Sequence, residues 1–214
     1  MSGVFKPRME ILPLAQQRLW PELKPVVKLG FVLYGGTAIA LRLGHRASID
    51  FDFFSEKPLD RKALQAAFPF LAQSTVLQDE RNTLSVLVPC EDSEHAHVKV
   101  SFFGKIGFSR VDAPDRTEDG VLQVASLDDL MATKVKVILQ RAEAKDYRDI
   151  AAMIDAGVSL SKGLATARKI FGPNFQPSES LKALVYFKDG DLCSLNKDEK
   201  STLVKAVSAV RDLA

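Results

Sequence analysis

Residues 34–55 read YGGTAIALRLGHRASIDFDFFS and combine a glycine pair with two aspartates inside a phenylalanine-rich segment. The apolar run that leads into Gly35 and Gly36 predicts a buried strand that ends in a tight turn. The helical pattern after this turn leads to a second predicted strand, which carries Asp50 and Asp52. Because successive side chains of a strand point to opposite faces, the two aspartates share one face.

This acidic face indicates a metal site. We expect Ile49, Phe51 and Phe53 to fill the opposite face and anchor the strand in the core. Two rises of about 3.3 Å place the bases of the two carboxylates ~6–7 Å apart, so that they can converge on one hard cation or on a pair of cations. The alternative is a solvated strand face, although aspartate is disfavoured in strands.

Composition and length predict an ordinary globular chain. The 214 residues are 46% hydrophobic and 26% charged, with a formal net charge of +2. No apolar run approaches the ~20 residues that span a bilayer, and residues 1–10 lack the apolar core of a signal peptide. Cys90 and Cys193 have no CxxC partner, which favours free thiols in a reducing cytosol. We therefore expect a cytoplasmic protein with no membrane partner.

The sequence pattern changes near residue 125, from a mixture of strand-like and helical segments to helical segments alone. This change predicts a mixed α/β domain over residues 1–125 and a helical region over residues 126–214. The predicted strands are residues 31–34, 48–54, 82–88, 97–103 and 123–124. The predicted helices are residues 9–19, 21–29, 37–43, 59–68, 126–142, 145–157, 159–171, 178–187 and 197–213.

The first motif resembles the nucleotidyltransferase superfamily, and more narrowly the AbiEii-type nucleotidyltransferases, many of which are toxins of toxin–antitoxin or abortive-infection systems. The matching residues are Gly35, Gly36 and Thr37, then the segment HRASIDFDFF at residues 45–54. The resemblance implies an α+β fold, in which a nucleotidyltransferase-like mixed β-sheet is flanked by helices and followed by a C-terminal helical bundle. It also implies that the glycine turn cradles a nucleoside triphosphate, whereas the pattern alone fits a plain strand-to-helix turn equally well. Asp50 and Asp52 are then the ligands of Mg²⁺ (or Mn²⁺).

A second segment, in the helical half, resembles the family's Lys, Arg and Lys-Asp-x-x-Asp pattern. Its matching residues are Lys134, Arg141, Lys145, Asp146 and Asp149. Helical steps of four, three and four residues place the three cations and Ile138 on one stripe that could face substrate phosphate. The alternatives are a solvated surface for Lys134 and Arg141, a helix N-cap for Asp146, and an ordinary ion pair between Lys145 and Asp149. The resemblance favours a catalytic role for Lys134 and Asp146, and substrate binding for Arg141 and Lys145.

The predicted strand at residues 97–103 departs from the family pattern. Nucleotidyltransferases of this fold carry a third acid on such a strand, and the expected position is occupied by Ser101. A hydroxyl is a poor ligand of Mg²⁺ and a poor general base. Either Asp146 or Asp149 supplies the missing carboxylate, or the attacking hydroxyl needs no protein base, or the protein binds a nucleotide without turning it over.

Polar residues before the acidic strand leave two interpretations open. Arg46 could bind phosphate through its fork of donors, or it could pair with Asp50. The resemblance places both Arg46 and Ser48 in substrate binding. His95 and His97 precede the strand that carries Ser101, and their spacing is typical of an exposed strand start rather than of a metal site.

Two functional hypotheses follow. The first is an Mg²⁺-dependent enzyme that moves a nucleoside monophosphate from an NTP to a hydroxyl of RNA, such as a tRNA end, or of a protein. The resemblance adds a possible role as a toxin with a cognate antitoxin. The second is a catalytically weakened nucleotide-binding or partner-binding module, for which Ser101 is the main support.

Overall fold

The computed structural model describes residues 3–90, 97–107 and 110–211, so His95 of the histidine pair lies outside the described residues. The chain divides into two compact units. Unit 1 comprises Met1–Ser109 and Ala113–Ala125, and unit 2 comprises Arg110–Asp112 and Ser126–Ala214.

Unit 1 combines a β-sheet with short helices. Its described strands are β1 (Val4–Phe5), β2 (Val32–Tyr34), β3 (Asp50–Phe54), β4 (Thr75–Glu80), β5 (Thr83–Pro89), β6 (His97–Phe103), β7 (Asp115–Thr117) and β8 (Gln123–Val124). Its described α-helices are α1 (Leu14–Leu19), α2 (Pro25–Lys28), α3 (Gly35–Leu43) and α4 (Arg61–Ala67). Short 3-10 turns cover Met9–Ile11, Trp20–Leu23 and Pro69–Ala72.

The described strands form one mixed sheet in the order β1-β7-β8-β2-β3-β6-β5-β4. The acidic strand β3 lies inside this sheet, where it pairs with β2 in antiparallel fashion and with β6 in parallel fashion. Both neighbours hydrogen-bond to its backbone, so the strand that carries Asp50 and Asp52 is fixed on two sides. The mixed sheet flanked by helices confirms the fold class predicted from the sequence.

One face of β3 is buried in an aromatic core, as the alternation predicts. Phe51 and Phe53 are fully buried, and their rings stack on each other with centroids 6.3 Å apart. Phe102 of β6 stacks on Phe53, and Trp20 packs against Phe51. Burying a side chain of this size contributes roughly 1.5–3 kcal/mol to stability. This burial stabilises β3 on the face opposite Asp50 and Asp52.

Arg42 at the end of α3 ties this helix to the β7–β8 side of the sheet. Its Nη2 lies 3.0 Å from Asp115 Oδ2 and donates to the carbonyl oxygen of Ala125 at 2.7 Å. The guanidinium also lies over the Phe5 ring, 4.4 Å from its centroid. Burial lowers the pKa of Arg42 from its usual value, and the nearby Asp115 carboxylate opposes that shift.

Unit 2 is helical throughout its described residues. Its α-helices are α5 (Leu127–Val137), α6 (Ala144–Asp155), α7 (Leu160–Phe171), α8 (Pro177–Leu184) and α9 (Lys197–Ala209), with 3-10 turns at Gly172–Asn174 and Leu192–Ser194. Ser126 caps α5 by accepting a hydrogen bond from the Asp129 amide, as its position before the first acidic turn predicts. Asn196 and Glu199 form a complete capping box at the start of α9.

Three local predictions are wrong. The strand expected from residue 48 begins at Asp50, and Ile49 is 58% exposed rather than part of the core. Helix α5 ends at Val137, and Lys145 belongs to α6, so the predicted single stripe does not form. Strand β4 was missed because all six of its side chains are exposed and carry no apolar alternation.

Within the described part of the chain, no helix is long and apolar enough to cross a membrane.

Candidate active site

The turn between β2 and α3 lies directly beside the acidic strand. Gly35 has a φ of +75°, a backbone conformation that side-chain-bearing residues rarely adopt. A Cβ atom at this position would lie only 3.0 Å from Asp52 Oδ2. Glycine is therefore required here for two reasons, the left-handed backbone and the close approach of the Asp52 carboxylate. Gly36 continues as the second residue of α3.

Two buried hydroxyls fasten the start of α3 to the start of β3. Thr37 Oγ1 and Ser48 Oγ lie 2.7 Å apart, and Thr37 Oγ1 also donates to the carbonyl oxygen of Asp50. Thr37 is 2% exposed and Ser48 is 7% exposed. These side chains thus fix the glycine turn against the acidic strand, while the backbone N–H groups of the first helical turn have no acceptor within the helix.

The register of β3 with β6 defines the acidic face. Asp50 is the partner of Lys99, and Asp52 is the partner of Ser101. Strand alternation puts these four side chains on one face, opposite the aromatic core. The pairing confirms the prediction that Ser101 stands beside the acid pair. Its Oγ is buried and has no hydrogen-bond partner among the described residues.

These groups fit a hard divalent cation. Asp50 and Asp52 supply carboxylate oxygens, which such ions prefer, and Gly35 leaves space at Asp52 Oδ2 that a side chain would fill. The unpaired Ser101 hydroxyl lies on the same face. Among the described residues there is no cluster of three or more His, Cys, Asp or Glu side chains suited to a metal.

The second motif forms a buried ion-pair cluster in unit 2. Lys134 Nζ lies 2.5 Å from Asp146 Oδ1 and 2.7 Å from Asp149 Oδ2. Arg141 Nε donates to Asp146 Oδ2 at 2.8 Å. Lys134 is 5% exposed, and both carboxylates are fully buried. The lysine of α5 is thereby locked to two acids of α6.

The electrostatics of this cluster keep Asp146 ionised. Burial raises the pKa of its carboxyl, but the hydrogen bond from Arg141 and the charge and hydrogen bond of Lys134 outweigh burial, and the pKa is lowered overall. Each acid accepts from Lys134, and Asp146 accepts from Arg141 as well. Replacing Lys134 would take a cationic partner from both buried carboxylates at once.

Other predicted site residues lie outside these groups. The exposed Lys145 pairs with Glu143, with Nζ 2.8 Å from Oε2. Arg46 Nη1 donates to the carbonyl oxygen of Ala47 at 3.0 Å. Sequence reasoning missed Lys99, whose alternation with Ser101 would have placed it on the acidic face.

Solved structures share the fold. A protein of H. pylori assigned as a nucleotidyltransferase matches with a TM-score of 0.60 at 19% identity, over 91% of this chain and 92% of that one. MenT4, a nucleotidyltransferase toxin of Mycobacterium tuberculosis H37Rv, matches with a TM-score of 0.51 at 13% identity, over 93% of each chain. The chain therefore has the nucleotidyltransferase fold.

Sequence comparison gives the family. The model of the family described as nucleotidyl transferase AbiEii toxin, type IV toxin–antitoxin system, matches residues 23–191. The uncharacterized protein aq_aa25 of Aquifex aeolicus (strain VF5) is 33% identical over 174 residues, which are 78% of this chain and 80% of that protein. The chain belongs to the AbiEii nucleotidyltransferase toxin family, which confirms the predicted resemblance. It is thus an enzyme of the nucleotidyltransferase class.

Proposed function

We propose that the protein transfers a nucleoside monophosphate from an NTP to a hydroxyl of RNA, such as a tRNA end, or of a protein, with Mg²⁺ or Mn²⁺ held by Asp50 and Asp52. The observation that carries this proposal is the placement of both acids on one face of an inner strand, directly beside the Gly35 turn. We further propose that the reaction takes place in the cytoplasm and that a cognate antitoxin counteracts it.

The reaction exchanges one bond to the α-phosphorus for another. The acceptor hydroxyl oxygen forms a bond to the α-phosphorus, the bond from that phosphorus to the β-phosphate bridging oxygen breaks, and pyrophosphate leaves. The hydroxyl proton passes to solvent, because Ser101 offers no carboxylate base at the neighbouring position. Such transfers depend mainly on positioning and charge neutralisation, so the absence of a base there is compatible with turnover.

Some residues of unit 1 bind substrate in this proposal, and others support the residues that bind it. Asp50 and Asp52 would hold a divalent ion, which when bound would neutralise phosphate charge and activate the attacking hydroxyl. The N–H groups of Gly35, Gly36 and Thr37 at the start of α3 cradle the triphosphate. Ser48 supports them through its contact with Thr37. Arg46, on the loop before β3, adds a second phosphate donor.

The roles proposed for unit 2 follow from its buried cluster. Asp146 holds both Lys134 and Arg141, so it fixes where these two cations lie. The side chain of Arg141 is 46% exposed while it stays bound to Asp146, so we retain it as a substrate-binding candidate. Lys145, also exposed, is the other substrate-binding candidate of this unit. We retain Lys134 and Asp146 as catalytic candidates.

The test is transfer of label from each of four α-³²P-labelled NTPs to total RNA or to total protein, with Mg²⁺ or Mn²⁺. Wild type should label one of the two acceptor pools with at least one NTP. Asp50→Asn and Asp52→Asn should each abolish labelling while their melting temperatures stay close to that of wild type. The matched control is Asp198→Asn, because Asp198 lies in the exposed first turn of α9.

Two results would overturn the proposal. One is a wild type that labels neither pool with any NTP under either metal. The other is an Asp50→Asn or Asp52→Asn variant that labels as fast as the Asp198→Asn control, since the acid pair would then not be the site.

A further inference from the structure

The acidic face carries a cation that lies outside the two motifs described above. Lys99 on β6 is the register partner of Asp50 on the parallel strand β3. Side chains of paired residues in adjacent strands project to the same face about 5 Å apart. Lys99 is partly buried, as is common for lysines that bury their aliphatic stem and keep the ammonium in water.

Lys99 forms no salt bridge with any other residue that the structure describes. By contrast, the cation predicted from the second motif, Lys134, is enclosed by two buried carboxylates at 2.5 and 2.7 Å. On β6 itself the side chains that share the acidic face are His97, Lys99, Ser101 and Phe103. Lys99 is therefore the fixed positive charge that this strand brings to the acids.

The position of Lys99 relative to the glycine turn defines what it can contact. Strand β2, which ends in that turn, flanks β3 on one side, and β6 flanks it on the other. The helix start and Lys99 thus lie on opposite flanks of the acid pair. Beside Asp52, at the position expected for a third acid, β6 carries the neutral hydroxyl of Ser101. Two residues earlier on the same face, beside Asp50, β6 carries the cation of Lys99.

We propose that Lys99 binds a phosphate group of a substrate held at the acidic face. This inference rests on the proposed function, because it assumes that a phosphate-bearing substrate binds beside Asp50 and Asp52. The phosphate belongs either to the NTP or to the backbone of a nucleic-acid acceptor that approaches from the β6 flank. A lysine ammonium suits both, since it is a compact charge with three freely rotating donors.

The competing explanation is a simple cross-strand pair, in which Lys99 offsets the charge of Asp50 and contacts no substrate. Such a cross-strand pair contributes little, so its loss would lower stability only slightly. It predicts no change in substrate affinity and no change in the salt dependence of binding. Substrate affinity therefore separates the two explanations.

The experiment compares wild type with Lys99→Met, which keeps the stem and removes the charge, and with Lys99→Arg, which restores a charge. Lys62→Met is the matched control, because Lys62 is exposed on α4 and forms no salt bridge with a described residue. The nucleotide arm titrates non-hydrolysable analogues of the four NTPs in the presence of Mg²⁺. The RNA arm titrates total tRNA without nucleotide at several salt concentrations.

Lys99→Met should weaken binding about tenfold in one arm, equivalent to about 1.4 kcal/mol, and Lys99→Arg should recover most of the loss. Weakening in the nucleotide arm assigns the phosphate to the NTP. Weakening in the RNA arm assigns it to the acceptor, and the slope of log K against log salt concentration should then fall by about 0.7.

Lys99→Met binding within twofold of the Lys62→Met control in both arms would overturn the inference, and so would an arginine variant as weak as the methionine variant. In either case the proposed function survives if wild type still transfers label. A wild type that binds neither probe and transfers no label would overturn the proposed function and this inference together.

Discussion

Gly35 offers a direct test of how the turn supports the acid pair. In Gly35→Ala the new side chain must adopt the positive φ of +75°, and its Cβ would lie 3.0 Å from Asp52 Oδ2. The backbone strain costs roughly 1–2 kcal/mol. The close contact must also displace the Asp52 carboxylate by a few tenths of an ångström.

Gly120→Ala separates these two effects. Gly120 has a similar φ of +69°, but nothing lies within 4 Å of the Cβ that alanine would add. Both variants should therefore lose about 1–2 kcal/mol, which lowers the melting temperature of a chain of this size by about 2–8 °C. Gly35→Ala should in addition lose activity by about tenfold, because catalysis is sensitive to sub-ångström displacement of a reacting group.

The assay combines thermal melts, label transfer and Mn²⁺ affinity measured by electron paramagnetic resonance in the presence of a non-hydrolysable NTP. The two alanine variants should melt alike, and only Gly35→Ala should bind Mn²⁺ more weakly. The reasoning is refuted if Gly35→Ala keeps wild-type Mn²⁺ affinity and activity, or if Gly120→Ala loses both to the same extent.

Two further predictions concern stability. Asp146 has a lowered pKa, so its ionised form stabilises the fold above its ordinary pKa of about 3.9, and this contribution disappears as the pH falls through the lowered value. In urea titrations at pH 7, the free energy of unfolding of Asp146→Asn should be about 3 kcal/mol lower than that of wild type. This difference should shrink below about pH 4. A difference that does not change with pH would contradict the ion-pair account. Arg42→Met should cost about 2–3 kcal/mol in the same assay, because the Asp115 carboxylate and the Ala125 carbonyl lose their donor. The control is Arg8→Met, because Arg8 forms an exposed ion pair with Glu10. If both variants lost the same free energy of unfolding, the Arg42 contacts would contribute nothing.

The parts of the site that sequence could predict are those set by local pattern. The period-two alternation around Asp50 and Asp52 defines which side chains share a face, and the glycines define where β2 ends. These two features require no knowledge of how distant segments pack. The family resemblance identifies Ser101 as the residue at the expected position of the third acid, and the β3–β6 pairing places it beside Asp52.

Other parts depend on tertiary contacts that a linear pattern does not encode. The apolar residues Ile138 and Leu139 continue the helical pattern beyond α5, yet the helix ends at Val137 and the chain turns into α6. Only that turn brings Asp146 and Asp149 onto Lys134, so the cluster could not be read from spacing along one helix. Strand β4 was equally hidden, since an exposed edge strand has no buried face to impose alternation.

The inner position of β3 has a consequence for how the enzyme loses activity. Its amides are shielded by pairing with both β2 and β6, so they should be among the slowest in unit 1 to exchange with deuterium. We therefore expect β3, which carries the two acids, to lose its backbone hydrogen bonds only when the whole sheet unfolds. On heating, loss of the acid pair should then follow the global unfolding of unit 1 rather than an earlier local fraying of the sheet.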